Sequence, residues 1–150
     1  MTDNVISILN NLVETSKDGE QGFRTSAEDT KSADLRKVFL ERAESCAKGA
    51  AELQQCVARL GGNPEERGSV AGAVHRGWVN LKAAATDRTD LAILEECERG
   101  EDVAKASYRK ALEQQLPEDI RQIVQRQYEG VQRNHDLVRN LRDRYRASAA

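Results

Sequence analysis

Proline is almost missing from this chain: Pro64 and Pro117 are the only two in 150 residues. Aromatic residues make up only 4%. With β-branched residues also few, the composition does not suit a strand-built protein. Cysteine occurs three times, at Cys46, Cys56 and Cys97, with no CxxC pair. That excludes a disulfide framework and a thiolate zinc knot, and leaves free, reduced, mostly buried thiols as the simplest reading. No membrane span is expected, because the stretch near the start without Asp, Glu, Lys or Arg covers only residues 4–13. No positively charged segment follows Met1, so no secretory signal is expected and the chain reads as cytoplasmic. A basic excess is missing too: the net charge is −2 and the pI near 5.8. That argues against a general nucleic-acid binder. There is no strand-preceded glycine loop ending in Gly-Lys-Ser/Thr, no HExxH, no EF-hand loop and no Ser/His/Asp order.

What the chain does have is Ala, Leu, Glu, Gln, Arg and Lys in quantity, which favours an all-α fold. At 150 residues it reads as one domain, residues 1–150, with one continuous core. The first helix should run from an N-cap at Asp3 to about Thr30, with a seam of Val5, Leu9, Leu12 or Val13, Ser16, Glu20, Phe23 and Ala27. A short polar break, TKSAD at residues 30–34, lets Ser32 or Asp34 cap the second helix. That helix carries Leu35, Phe39, Ala43, Cys46, Ala50, Leu53, Val57 and Leu60, and stops at Gly61-Gly62. So short a connection makes the two helices antiparallel neighbours and sets Glu20 level with residues 43–46. Glu41, Glu44 and Glu52 fall away from the seam and should face solvent.

Asn63-Pro64-Glu65-Glu66 reads as a helix start. It opens a long crossover to about Arg88, in which Val70, Val74, Trp78, Leu81 and Ala85 predict one extra short helix. Such a crossover makes the second and third long helices parallel. Trp78 reads as a lid on the core. Exposed faces of the crossover helix could also support a homodimer, with Trp78 as a candidate anchor. The third helix starts near Thr89 and carries Leu91, Leu94, Cys97, Glu98, Glu101, Ala104, Tyr108 and Ala111. The fourth starts at Pro117 and carries Ile120, Val124, Gln127, Val131, Asn134, Val138, Leu141 and Tyr145, with His135 on the flank. Arginines at 139, 142, 144 and 146 complement the dipole at its end and line a solvated face.

Carboxylates inside a seam call for partners. Glu98 and Glu101 lie three residues apart in EECERGED, residues 95–102, and folding the second hairpin about residue 116 sets His135 level with about residue 97. With Glu20 from the first helix, Glu20, Glu98, Glu101 and His135 offer oxygen and nitrogen ligands. That set suits a divalent transition metal such as iron, manganese or zinc.

LVETSKDGEQGF at 12–23, GSVAGAVHRGW at 68–78, EECERGED at 95–102 and RNHD at 133–136 resemble an uncharacterised bacterial family of ferritin-like four-helix-bundle proteins. The resemblance covers nearly the whole chain and implies a four-helix bundle with one long crossover. It brings no assigned cellular function, only a loose association with stress responses. Ferritin-like di-iron sites take one Glu from each of two helices and Glu-x-x-His from each of the other two. Glu20 and Glu98 (or Glu101) match the single-Glu positions. The fourth helix has Gln132-Arg-Asn-His135, with Gln in place of Glu, and the second has Glu44-x-x-Ala47, without the His. At least two ligands of that set are missing. This points to a non-catalytic structural or interaction protein with a polar core cluster, or to a mononuclear or vestigial metal site, rather than to a full di-iron oxidase.

Overall fold

A computed structural model describes residues 2–66, Trp78 and 89–149. They form four long helices: α1 (Thr2–Asp29), α2 (Ala33–Arg59), α3 (Asp90–Leu112) and α4 (Glu118–Ala149). No strand occurs among the described residues. No helix among them is long and apolar enough to cross a membrane. The fold is an all-α four-helix bundle, as the periodicity predicts. Two caps follow the sequence: Ser32 Oγ accepts from Leu35 N–H at the start of α2, and Thr89 accepts from Ala92 N–H at the start of α3; Asp3, read as the cap of α1, lies inside its first turn instead. Gly61 takes φ +83° just past α2, where its lack of a Cβ lets the last turn close onto the Ala58 carbonyl.

The direction of each helix follows from its contacts. Across α1 and α2, Gly19 faces Cys46, and Arg36 donates to the Ala27 and Thr30 carbonyls. Across α1 and α3, Ser16 meets Tyr108, Ser26 meets Cys97 and Thr30 donates to Asp90 at 2.6 Å, so α3 runs against α1. Across α3 and α4, Tyr108 meets Gln127, Asp102 meets His135 and Glu95 meets Arg146. α1 thus borders α2 and α3, and α4 borders α3 and, more loosely, α2. Helices α2 and α3 run parallel. The end of α2 and the start of α3 therefore lie at opposite ends of the bundle, about 40 Å apart for a helix of α2's 27 residues.

Residues 63–66 are not helical, contrary to the helix start read from Asn-Pro-Glu-Glu. Their backbone groups are taken by side chains instead. Asn10 donates to the Asn63 carbonyl at 3.1 Å and accepts from Glu65 N–H at 2.8 Å, and Gln54 donates to the Glu65 carbonyl. The short crossover helix and His75 lie outside the described residues. Trp78 is described: 8% exposed, it packs edge-on to Phe23 with ring centroids 5.2 Å apart. Its buried position suits the lid role rather than an exposed dimer anchor. A homodimer through that segment would have to use other residues.

Two apolar clusters fill the bundle. One, towards the start of α1, holds Val5, Leu9, Leu12, Val13, Leu53, Val57, Ile120 and Val124. The other holds Phe23, Leu35, Phe39, Trp78, Ile93, Leu94 and Val138. The indole of Trp78 fits because α1 and α3 present glycine to it. A Cβ on Gly22 or on Gly100 would stand 2.2 Å from the ring. Gly22→Ala or Gly100→Ala is therefore expected to cost about 1–3 kcal/mol. Emission from Trp78, the single tryptophan, should shift to the red in the native state of either variant. Gly49→Ala should instead gain about 0.5–1 kcal/mol, since its new methyl meets nothing closer than the Gln127 amide at 3.7 Å. Urea melts followed by fluorescence compare the three, and coincident curves for Gly22→Ala and wild type would contradict this seating of Trp78.

Candidate functional site at the middle of the bundle

Between the two apolar clusters the four helices meet through polar side chains. Ser16 Oγ lies 3.3 Å from the Tyr108 hydroxyl, which donates to Gln127 Oε1 at 2.8 Å. The Gln127 amide nitrogen donates to the Gly49 carbonyl at 3.2 Å and to Glu52 at 2.7 Å. Arg126 pairs with the other Glu52 oxygen. One chain of bonds thus runs from α1 through α3 and α4 to α2. Glu52 was expected in solvent. It is half-buried because Gln127 and Arg126 on α4 draw it back across the helix gap. Against the upward push of burial, their hydrogen bonds hold the Glu52 carboxyl below its ordinary range. Burial pushes the Tyr108 phenol and the Cys46 thiol well up, so neither ionises near neutrality.

A cavity of about 530 Å³ opens at this level, bounded by Phe23 and Trp78 on one side and by the gap between α2 and α4 on the other. Glu101 lies on its wall, 4% exposed, with no hydrogen-bond partner among the described residues. Burial raises its carboxyl to about 8; Arg42 opposes the rise and the adjacent Asp102 adds to it.

The residues named from sequence as metal ligands fall in three environments. Glu20 stands at the surface, 20% exposed, where Arg24 pairs with it at 2.9 Å and Lys17 lies 3.9 Å away. Glu101 faces the cavity. Glu98 and His135 come together on the α3–α4 face, joined by Asp102, which is four residues on from Glu98. One ligand atom from each of Glu98, Asp102 and His135 lies within 4.8 Å of the others. His135 is 6% exposed and binds Asp102 through Nε2. Its Nδ1 has no hydrogen bond and lies 3.5 Å from Asp136 Oδ1. Glu98 contacts Arg142 as an ion pair, not as an aligned hydrogen bond. Two carboxylates and an imidazole fit a divalent transition metal chemically. To hold an ion at bonds near 2.1 Å the ligand atoms would have to gather around it, the His135–Asp102 hydrogen bond would have to open, and Arg142 would have to leave Glu98. Asp102 was not singled out from sequence, though its i, i+4 spacing from Glu98 places both on one helix face.

Residues 4–114 match the model of a family described as a domain of unknown function (DUF2383), and the chain belongs to that family. No curated protein matches it. The matched span takes in α1, α2 and α3 with their carboxylates. Gln127, His135 and Arg142 on α4 lie beyond it.

Glu101 should leave a signature in stability against pH. From about pH 4.5 to about 8 the folded chain holds a proton on Glu101 that the unfolded chain has released. The stabilisation is complete below that window and is lost as pH rises through it. At about 1.4 kcal/mol per unit, the loss amounts to several kcal/mol. Glu101→Gln should flatten this slope: it should match wild type near pH 4.5 and exceed it near pH 8. Urea titrations at both ends of the window decide this, and parallel profiles for the two proteins would refute it.

Proposed function

We propose that this member of the DUF2383 family is a single ferritin-like bundle domain, residues 1–150. In this reading it works in the cytoplasm as a non-catalytic structural or interaction protein. The connectivity supports the ferritin-like reading: antiparallel neighbours on every side and one crossover along the bundle are the arrangement of that class. The observation that carries the non-catalytic reading is the chain Ser16–Tyr108–Gln127–Glu52. At mid-bundle, where ferritin-like metal proteins place inward-facing carboxylates and histidines, Ser16, Tyr108 and Gln127 bond to one another, and the Glu52 carboxylate is taken up by Gln127 and Arg126. Its nearby thiol and phenol are held protonated, so neither is an activated nucleophile.

A second reading rests on Glu98, Asp102 and His135: a mononuclear divalent iron, manganese or zinc ion on the α3–α4 face. Of the four residues proposed from sequence, this reading keeps Glu98 and His135 and adds Asp102. Glu20 and Glu101 stand away from that cluster.

Elemental analysis of protein purified without chelator separates the two. The structural reading expects well under one ion per chain, and the same content in a Glu98→Ala/His135→Ala variant. The metal reading expects about one ion per chain, lost in that variant together with a metal-dependent rise in melting temperature.

A further inference from the structure

Glu101, Lys48 and Arg133 lie on the same cavity, and none of the three has a hydrogen bond or ion pair among the described residues. Glu101 presents a carboxyl that is almost wholly buried and has no hydrogen-bond partner among the described residues. Ser16, Tyr108 and Gln127 cannot serve it, because their bonds already run to one another and to Glu52. At the rim stand Lys48 of α2 and Arg133 of α4, both exposed and neither in an ion pair among the described residues. Arg126, the third rim cation, is already held by Glu52. The rings of Phe23 and Trp78 border the same space. Its volume, about 530 Å³, is in the range of small-molecule sites. Gly49 and Gly130 keep the α2–α4 side open: a Cβ there would find its nearest neighbours at 3.7 and 3.6 Å, so neither glycine is demanded by close helix contact.

We propose that this cavity binds a small amino-acid zwitterion, its ammonium on Glu101, its carboxylate at Lys48 and Arg133, and its carbon chain against Phe23 and Trp78. The lining dictates the class. A simple amine would meet cations at the rim, and a simple carboxylic acid would leave Glu101 with only Arg42, which forms no ion pair with it among the described residues. An ammonium is the partner that lets a buried carboxyl keep its charge. The inference goes beyond the structural reading and uses none of Glu98, Asp102 or His135, so metal content has no bearing on it.

The experiment is calorimetry on the full chain, paired with emission from Trp78, the single tryptophan, which lines the cavity. Four six-carbon probes are titrated: L-leucine, 6-aminohexanoate, hexylamine and hexanoate. At least one of the two amino acids should bind below about 1 mM, with hexylamine and hexanoate at least about tenfold weaker. Glu101→Gln should weaken the bound amino acid at least about tenfold. So should Lys48→Ala/Arg133→Ala, which alters only exposed side chains and tests the site even if the buried substitution misfolds. The proposal is overturned if neither amino acid gives heat or a Trp78 change up to about 10 mM. It is also overturned if hexylamine or hexanoate binds as tightly as the amino acid, or if binding survives unchanged in the Lys48/Arg133 variant.

Discussion

The bundle is arranged around the cost of placing polar atoms in its centre. A hydroxyl or amide taken from water into an apolar interior must find a partner there, and the geometry that provides one is narrow. Tyr108 can reach Ser16 and Gln127 together only if α1, α3 and α4 share one level, and Gln127 reaches Gly49 and Glu52 only if α2 joins them. Apolar seams alone would tolerate a slip of one helix along another, because Leu and Val on either side are interchangeable. The polar chain does not tolerate it. A slip by one turn would strand four partly or fully buried groups, so this layer sets the register that the two apolar clusters then fill.

The same layer accounts for the shape of the interior. Polar groups bonded to each other hold the helices at fixed spacing, and Gly19, Gly49, Gly100 and Gly130 remove side-chain volume around them. On the α1–α3 side the space is taken by Trp78, seated between Gly22 and Gly100. On the α2–α4 side nothing comparable from the described residues fills it, and the cavity remains. Trp78 is thus held in the core at a place that only glycine-lined helices can offer. At the opposite end of α1 from the start of the chain, Asp90 accepts from the Thr30 hydroxyl and from Lys31 N–H, which locks the α1–α2 turn to the first turn of α3.

Much of this was legible in the sequence. The four helices, Ser32 and Thr89 as caps, the short turns, and Ser16, Tyr108 and Gln127 as seam positions are all readable from period and capping chemistry. Glu20 was not placed. Its seam was drawn as 16, 20, 23, 27, whereas the buried stripe passes through Ser16, Gly19, Gly22, Phe23 and Ser26. Glycine carries no hydrophobic signal, so the stripe is silent where it turns, and Glu20 sits about 100° from Gly19 around the helix. The second hairpin folds later than expected. His135 pairs with Asp102, more than one turn along α3 from residue 97. A loop shows where a hairpin turns, but not how far the helices slide before their side chains interlock. Asn10 and Gln54 reach residues far away in sequence, and this is why a local helix-start pattern at 63–66 failed.

The separation of the carboxylates decides what this bundle can do. Bringing Glu20 to the cavity would require α1 to turn by roughly the angle between successive residues. That turn would carry Ser16 away from Tyr108 and Phe23 away from Trp78. Glu98 is held outward by Arg142, and His135 by Asp102, so neither can swing to the mid-bundle level without abandoning a charge partner. Among the described residues Glu101 is left as a carboxyl that the interior encloses without an ion pair, on a cavity that neither Glu20 nor the Glu98–His135 pair lines.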